Sequence, residues 1–207
     1  MSAQPSAQPH DDAHPLPRAS VLFVCNANIC RSPVAHALFA AAVHGVTGET
    51  WTVFSAGIRA TAGLPMVEEC RAALGGTGFS WEFRSALLSP DVVRGADAVV
   101  TMTRTELSEV LRLVPTALHR TVTLAELHRC ALRAPEGRHT NGPDRLRALV
   151  TRTVRDRGPT RPADPADDDI PDPVGRSRHT LAATTQSIGA AVRAVVATVA
   201  PGATPLR

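Results

Sequence analysis

Short apolar runs and amphipathic stretches alternate along the chain. Val21-Leu22-Phe23-Val24 is apolar without a break, as expected of a strand buried on both faces of a parallel sheet. A polar loop follows, and Pro33 then opens a helix; proline suits a first helical position, where its missing N–H would have had no partner. Trp51-Thr52-Val53-Phe54 predicts a second strand ending at Ser55-Ala56-Gly57, and residues 66–74 predict a helix stopped by Gly75-Gly76. Residues 98–102 predict a third strand, with Leu107, Val110 and Leu111 on one face of the helix behind it. Residues 121–124 predict a fourth, followed by a helix from 125 to about 133. After Ser177, Leu181, Ile188, Val192, Val195 and Val199 recur at helical spacing. This alternation implies an α/β single domain, an open parallel four-stranded sheet with helices on both faces.

Residues 19–200 are read as that domain. Residues 1–18, rich in Pro, Gln and Ala, have too few apolar groups to offset the entropy of ordering and are read as a disordered N-terminal tail, and 201–207 as a C-terminal tail. Residues 134–166 interrupt the alternation: Gly142-Pro143 and a Pro-rich stretch enclose a helical segment at 145–155. The region reads as an insertion or mobile loop, placed like a lid ahead of an acidic motif.

Composition narrows the chemistry. The 207 residues include 22 basic ones, all arginine; without lysine there is neither a Walker-type phosphate loop nor Schiff-base chemistry. Tyrosine is absent and aromatics are 3%, against a base-stacking platform, so no nucleic acid is expected as a partner. Between Arg112 and Arg161, eleven arginines face Glu126, Glu136, Asp144 and Asp156, which reads first as a solvated basic face and second as a dock for nucleic acid, an acidic partner or a polyanionic substrate. Cys25, Cys30, Cys70 and Cys130 form no paired C-x-x-C sets, and the eight histidines show no ligand spacing, so neither a metal nor another cofactor is implied. No apolar run reaches the roughly 20 residues a membrane span requires, and the N-terminus lacks the basic start and apolar stretch of a secretory signal, so the expected setting is cytoplasmic, without a membrane partner.

The stretch that carries chemistry is Cys25-Asn26-Ala27-Asn28-Ile29-Cys30-Arg31-Ser32-Pro33, between the first strand and the first helix. A loop there lies at the carboxyl edge of the sheet, where open α/β folds bind ligands. Five residues separate Cys25 from Arg31, enough to wrap backbone N–H groups around one tetrahedral anion beneath a helix N-terminus. Arg31 offers a planar fork for two phosphate oxygens. Those groups, with a hydrogen bond from Ser32, predict a Cys25 thiol titrating well below its ordinary value of about 8.5 and ready to attack phosphorus. For an isolated cysteine, burial as a small hydrophobe would be the better reading; Cys, Arg and Ser at these spacings outweigh it.

Residues 21–33 resemble the phosphate loop of the low-molecular-weight protein-tyrosine phosphatase family, written V-C-x-G-N-x-C-R-S-P. Ser55-Ala56-Gly57 with Gly63-Leu64-Pro65-Met66, Arg84-Ser85, Ala96-Asp97, Val100-Thr101-Met102-Thr103-Arg104 and Asp169-Ile170-Pro171-Asp172-Pro173 extend the likeness over most of the chain. The resemblance implies a Rossmann-like sheet and a cysteine-dependent phosphomonoesterase working through phosphocysteine. Cys25 would attack, Arg31 would hold the phosphoryl oxygens, and Asp172 would be the general acid, a role worth typically 10²–10⁴-fold. By charge pattern alone Asp172 belongs to a solvated acidic run with Asp164, Asp167, Asp168 and Asp169; the Asp-Pro match lifts it out. Asn26, Ala27, Asn28, Ile29, Cys30 and Ser32 would line the substrate phosphoryl group. Asn28 and Ser55 match the family's loop-shaping pair, though Ser55 also reads as an ordinary strand-end serine.

The match departs at four places. Ala27 stands where the family has glycine, at a cost of about 1 kcal/mol if its φ is positive. Asn26 is polar where the family often has a bulkier side chain. Val174-Gly175 and the region around Thr61 stand where aromatic walls flank a phosphotyrosine ring. Weak stacking there brings a small-molecule or natural-product phosphate into competition with a phosphorylated protein; inorganic phosphate is the product of either. Ile29 argues against the arginine-phosphatase branch, which carries threonine. Other readings are an arsenate reductase of the same fold and a phosphate-binding module without turnover. Against the first stand Pro33 and the wide separation of Cys70 and Cys130, both read as helix-core cysteines; against the second, intact Cys25, Arg31 and Asp172. Cys30 is the candidate for a reversible disulfide with Cys25.

Overall fold

The computed structural model describes residues 16–75, 82–134, 139–160 and 162–203. Four parallel strands, β1 (Arg18–Cys25), β2 (Thr50–Gly57), β3 (Ala98–Thr101) and β4 (Thr121–Thr123), pair in the order β2-β1-β3-β4. Around them lie α1 (Arg31–Val43), α2 (Glu68–Ala72), α3 (Pro90–Gly95), α4 (Arg104–Leu113), α5 (Leu124–Ala131), α6 (Gly142–Asp156) and α7 (Arg178–Val199). All four predicted strands are present. The alternation of β1 explains its unbroken apolar run: Val21 and Phe23 face the larger core, with α1, α5, α6 and α7, while Leu22 and Val24 face the smaller one, with α3 and α4. A strand between two packed layers has no face to leave polar.

Three expectations need correcting. Helix α1 starts at Arg31, two residues before Pro33, with Val34 N–H making its first bond to the Cys30 carbonyl at 3.0 Å. Pro33 is still harmless there, because the first four N–H groups of a helix have no internal partner. The helix expected over 66–74 is only α2, five residues long. Within the expected insertion or mobile loop at 134–166, the helix expected at 145–155 is present over 142–156, but it is packed: Leu146, Leu149 and Val150 are buried, and Gly142 N–H donates to Glu49 at 2.6 Å. Gly142 lies so close that a Cβ would meet Trp51 at 2.6 Å and the Val199 carbonyl at 2.8 Å.

The ends also shift. Strand β1 begins at Arg18, inside the expected tail, whose residues 1–15 lie outside those described. At the other end Pro201–Ala203 form a turn closed by Ala203 N–H on the Ala200 carbonyl at 2.8 Å, and 204–207 lie outside the described residues. No helix among the described residues is long and apolar enough to cross a membrane.

Candidate active site

The loop that joins β1 to α1 is held by its own side chains and by the strand beside it. Asn28 is the one non-glycine residue with positive φ among those described, at 53°, a conformation that asparagine tolerates better than most residues. Its side chain compensates. Nδ2 donates to Ser32 Oγ at 2.9 Å and to Ser55 Oγ at 3.0 Å, while Oδ1 accepts from Ala86 N–H at 2.9 Å. The strain feared at Ala27 therefore falls on Asn28 instead, and Ser55 is no ordinary strand-end serine. Across the gap, Ile58 N–H donates to the Cys25 carbonyl at 3.0 Å and Arg59 N–H to the Asn26 carbonyl at 2.9 Å. Gly57 allows this approach, since a Cβ there would lie 2.7 Å from the Asn26 carbonyl and 2.8 Å from Asn28 N.

Cys25 ends β1 with 3% of its surface exposed. Ser32 Oγ donates to its sulfur at 3.0 Å, and Asn28 N–H points at it from 3.3 Å. The low thiol pKa expected from the sequence is not what this arrangement produces. Burial pushes the Cys25 thiol up; the Ser32 hydroxyl, the Arg31 guanidinium and the Ser32 N–H pull it down; Glu106 pushes it up again. The net direction is upward. Arg31 also has two carboxylates beside its guanidinium.

Those carboxylates are Glu106 and Asp172. Arg31 is 3% exposed; its Nη1 lies 3.3 Å from Glu106 Oε1 and donates to the Ile170 carbonyl at 3.1 Å, while its Nη2 donates to Asp172 Oδ2 at 2.6 Å. Sequence reading missed Glu106. Its other oxygen accepts from Met102 N–H at 3.0 Å and Thr103 N–H at 2.9 Å, closing a capping box at the start of α4. The Thr103-x-x-Glu106 pattern was therefore visible, but it signals a helix start and says nothing about Arg31. Burial raises the Glu106 pKa, against the pull of Arg31 and the two N–H groups.

Part of the acidic run ahead of α7 is tied down, while Asp164 and Asp167 stay exposed. Asp168, 5% exposed, pairs with Arg129. Asp169 accepts Arg104 N–H at 2.7 Å and Arg104 Nη2 at 3.0 Å, and Ile170 N–H reaches the Met102 carbonyl at 2.8 Å. These contacts bring Asp172, with a 41% exposed side chain, over Arg31. A solvated run would show no such pairing. Most arginines of the expected basic face are likewise engaged: Arg112 with Glu109, Arg147 with Asp97 and Asp144, Arg157 with Glu126.

The cysteines pair differently from expectation. Cys30 forms a disulfide with Cys70, with a Cα–Cα distance of 5.9 Å, and Cys25 and Cys130 are free. Val67 N–H bonds the Ile29 carbonyl at 2.8 Å, bringing α2 against the loop. Cys70 is thus a core cysteine, as expected, and also the partner of Cys30 that spacing did not suggest. At the two positions where aromatic walls would stand, Val174 is 46% exposed and the Thr61 carbonyl accepts from Ser85 Oγ at 2.5 Å.

Residues 20–136 match the family model described as Low molecular weight phosphotyrosine protein phosphatase. A curated relative, the probable low molecular weight protein-tyrosine-phosphatase EpsP of Ralstonia solanacearum, is 29% identical over 136 residues, 65% of this chain and 90% of the relative. The solved tyrosine phosphatase amsI of Erwinia amylovora superposes with a TM-score of 0.62 at 21% identity, over 88% of this chain and 93% of that one. The YwlE arginine phosphatase from Geobacillus stearothermophilus gives 0.59 at 21% identity, over 86% and 90%. At these identities the solved structures speak to the fold. Asp172 lies beyond the matched span, so its part rests on geometry.

Proposed function

The chain belongs to the low molecular weight phosphotyrosine protein phosphatase family and is a cysteine-dependent phosphatase, and we propose that Cys25, Arg31 and Asp172 carry its chemistry. The observation behind this assignment is their convergence. Ser32 holds the Cys25 sulfur from 3.0 Å, one residue along from Arg31, and Arg31 holds Asp172 at 2.6 Å. As the thiolate, its proton lost to water before the ester binds, Cys25 Sγ attacks the phosphorus of a phosphomonoester in line with the leaving oxygen. The S–P bond forms as the P–O bond breaks, and Asp172 gives that oxygen its proton. Loop N–H groups and Arg31 hold the three remaining oxygens as charge redistributes over them. Asp172, now a carboxylate, takes a proton from water, which attacks the phosphocysteine and releases inorganic phosphate.

The substrate proposed first is a phosphorylated protein, in line with the names of the matched family and of EpsP. A second reading, a non-aryl phosphate ester, is favoured by Val174 and Thr61 standing where a phenyl ring would want aromatic walls. Hydrolysis of p-nitrophenyl phosphate by wild type, abolished in Cys25→Ser, is the expected result; activity retained by Cys25→Ser would contradict the assignment. A panel of phosphotyrosine peptides and sugar phosphates then separates the two substrate readings. Higher kcat/KM on the peptides supports the first, and higher kcat/KM on the sugars supports the second.

A further inference from the structure

Charge at the site is out of balance for an enzyme that must admit a dianion. Arg31 carries one positive charge, and Glu106 and Asp172, at 3.3 and 2.6 Å, carry two negative ones when ionised. The next cation along the rim is Arg59. Its backbone N–H is fixed to the Asn26 carbonyl at 2.9 Å, and its Nη1 touches Asn26 Oδ1 at 3.4 Å, beside the nucleophile. That contact is to a neutral oxygen. Glu109 feels the charge of Arg59, yet it bonds Arg112 at 2.8 Å instead, and among the described residues no carboxylate forms an ion pair with Arg59. Arg104 is taken by Asp169, and Arg129 by Asp168. An exposed guanidinium, anchored through its backbone to the residue after the nucleophile and left without an acid, is disposed to meet an anion on the substrate.

We propose that Arg59 is a specificity residue that recognises a second anionic group, a carboxylate or a further phosphate, on the phosphomonoester that Cys25 attacks. The inference rests on the phosphatase reading above and narrows its substrate class. The second anion belongs either to an acidic side chain flanking a phosphorylated residue or to a small molecule with two acidic groups; both present the same chemistry to Arg59. The side chain is exposed and joins no core contact, so its replacement leaves the fold intact. It acts by a charge near water, so its contribution shrinks as salt screens it.

The test compares paired substrates at low ionic strength: a phosphotyrosine peptide flanked by Glu and Asp against the same peptide with Gln and Asn, and a sugar bisphosphate against its monophosphate. Wild type is expected to favour the more acidic member of at least one pair by about 2–5-fold in kcat/KM, largely through KM. The pair that shows the preference identifies the source. Arg59→Ala should bring the ratio close to one, Arg59→Lys should keep most of it, and Arg59→Glu should invert it. High salt should erase the wild-type preference. A ratio unmoved by Arg59→Ala, or no preference in either pair, overturns the assignment while Cys25-dependent hydrolysis still stands. No hydrolysis of p-nitrophenyl phosphate by wild type would instead remove the reading beneath it.

Discussion

Cys25 and Ser32 are seven residues apart and meet at 3.0 Å, whereas Asp172 reaches Arg31 at 2.6 Å from 141 residues away. The sulfur half of the site is local. It is set by one loop, one positive φ at Asn28, and the close approach that Gly57 permits. The proton half is assembled by the fold, through Ile170 on Met102 and Asp169 on Arg104, both at the junction of β3 and α4. A local half is preorganised as soon as β1 and α1 pack. A remote half stands or falls with a few polar anchors, so damage to each should show up in a different step of the reaction.

The largest difference is expected from Asp172→Asn. It should lower kcat/KM, which reports the step that expels the leaving group, by about 10²–10⁴-fold on alkyl phosphates, and far less on p-nitrophenyl phosphate, whose leaving group needs little protonation. Phosphate inhibition should survive in this variant, because the loop remains whole. Equal losses on both kinds of substrate would mean that Asp172 only supports the structure.

Asp169→Asn cuts the Arg104 anchor and should cost roughly 10-fold in kcat, on the order expected for losing a partly exposed charged hydrogen bond. The rate of Cys25 alkylation should not change. An altered alkylation rate would show that the two halves are coupled more tightly than their separate anchors suggest.

Glu106→Gln keeps an oxygen for the Met102 and Thr103 N–H groups but removes the charge that raises the Cys25 thiol. The midpoint of the pH–alkylation curve should therefore move down. An upward move would mean that Glu106 acts mainly by holding Arg31 in place.

The smallest effect belongs to His36, behind the loop, whose Nδ1 lies 3.4 Å from Ser55 Oγ. Burial depresses its pKa from 6.5 to about 4. The stability tied to neutral His36 is fully present above pH 6.5 and is lost as pH falls towards 4, because the unfolded chain takes up the proton first. A loss of roughly 2–3 kcal/mol across that window is expected. Denaturant titrations at several pH values would measure it, and His36→Gln should flatten the slope.

What could be read from sequence follows the same division. The strand pattern placed all four strands, most clearly β1, where burial on both faces leaves an unbroken apolar run. The loop's contacts were legible because Cys25, Arg31 and Ser32 lie at fixed short spacing, and the resemblance pointed to Asn28 beside Ser55 and to Asp172. Glu106 stayed hidden because a capping box looks the same whether or not its spare oxygen meets an arginine. Cys30 and Cys70 stand 40 residues apart, and nothing in that spacing says that α2 folds back on the loop. The Cys25 thiol was misjudged because its donors are near in sequence, while Glu106 and the burying layers are not. Helix α6 was legible over 145–155, but its Pro-rich surroundings hid that its buried Leu146, Leu149 and Val150 pack it into the core.

The cysteine's role can be seen directly. Rapid acid quenching of the enzyme during turnover of p-nitrophenyl phosphate, followed by peptide mapping, should find a phosphoryl group on the Cys25 sulfur. The yield should be higher in Asp172→Ala, where water is activated more slowly. A phosphoryl group on any other side chain, with Cys25 unmodified, would contradict the account.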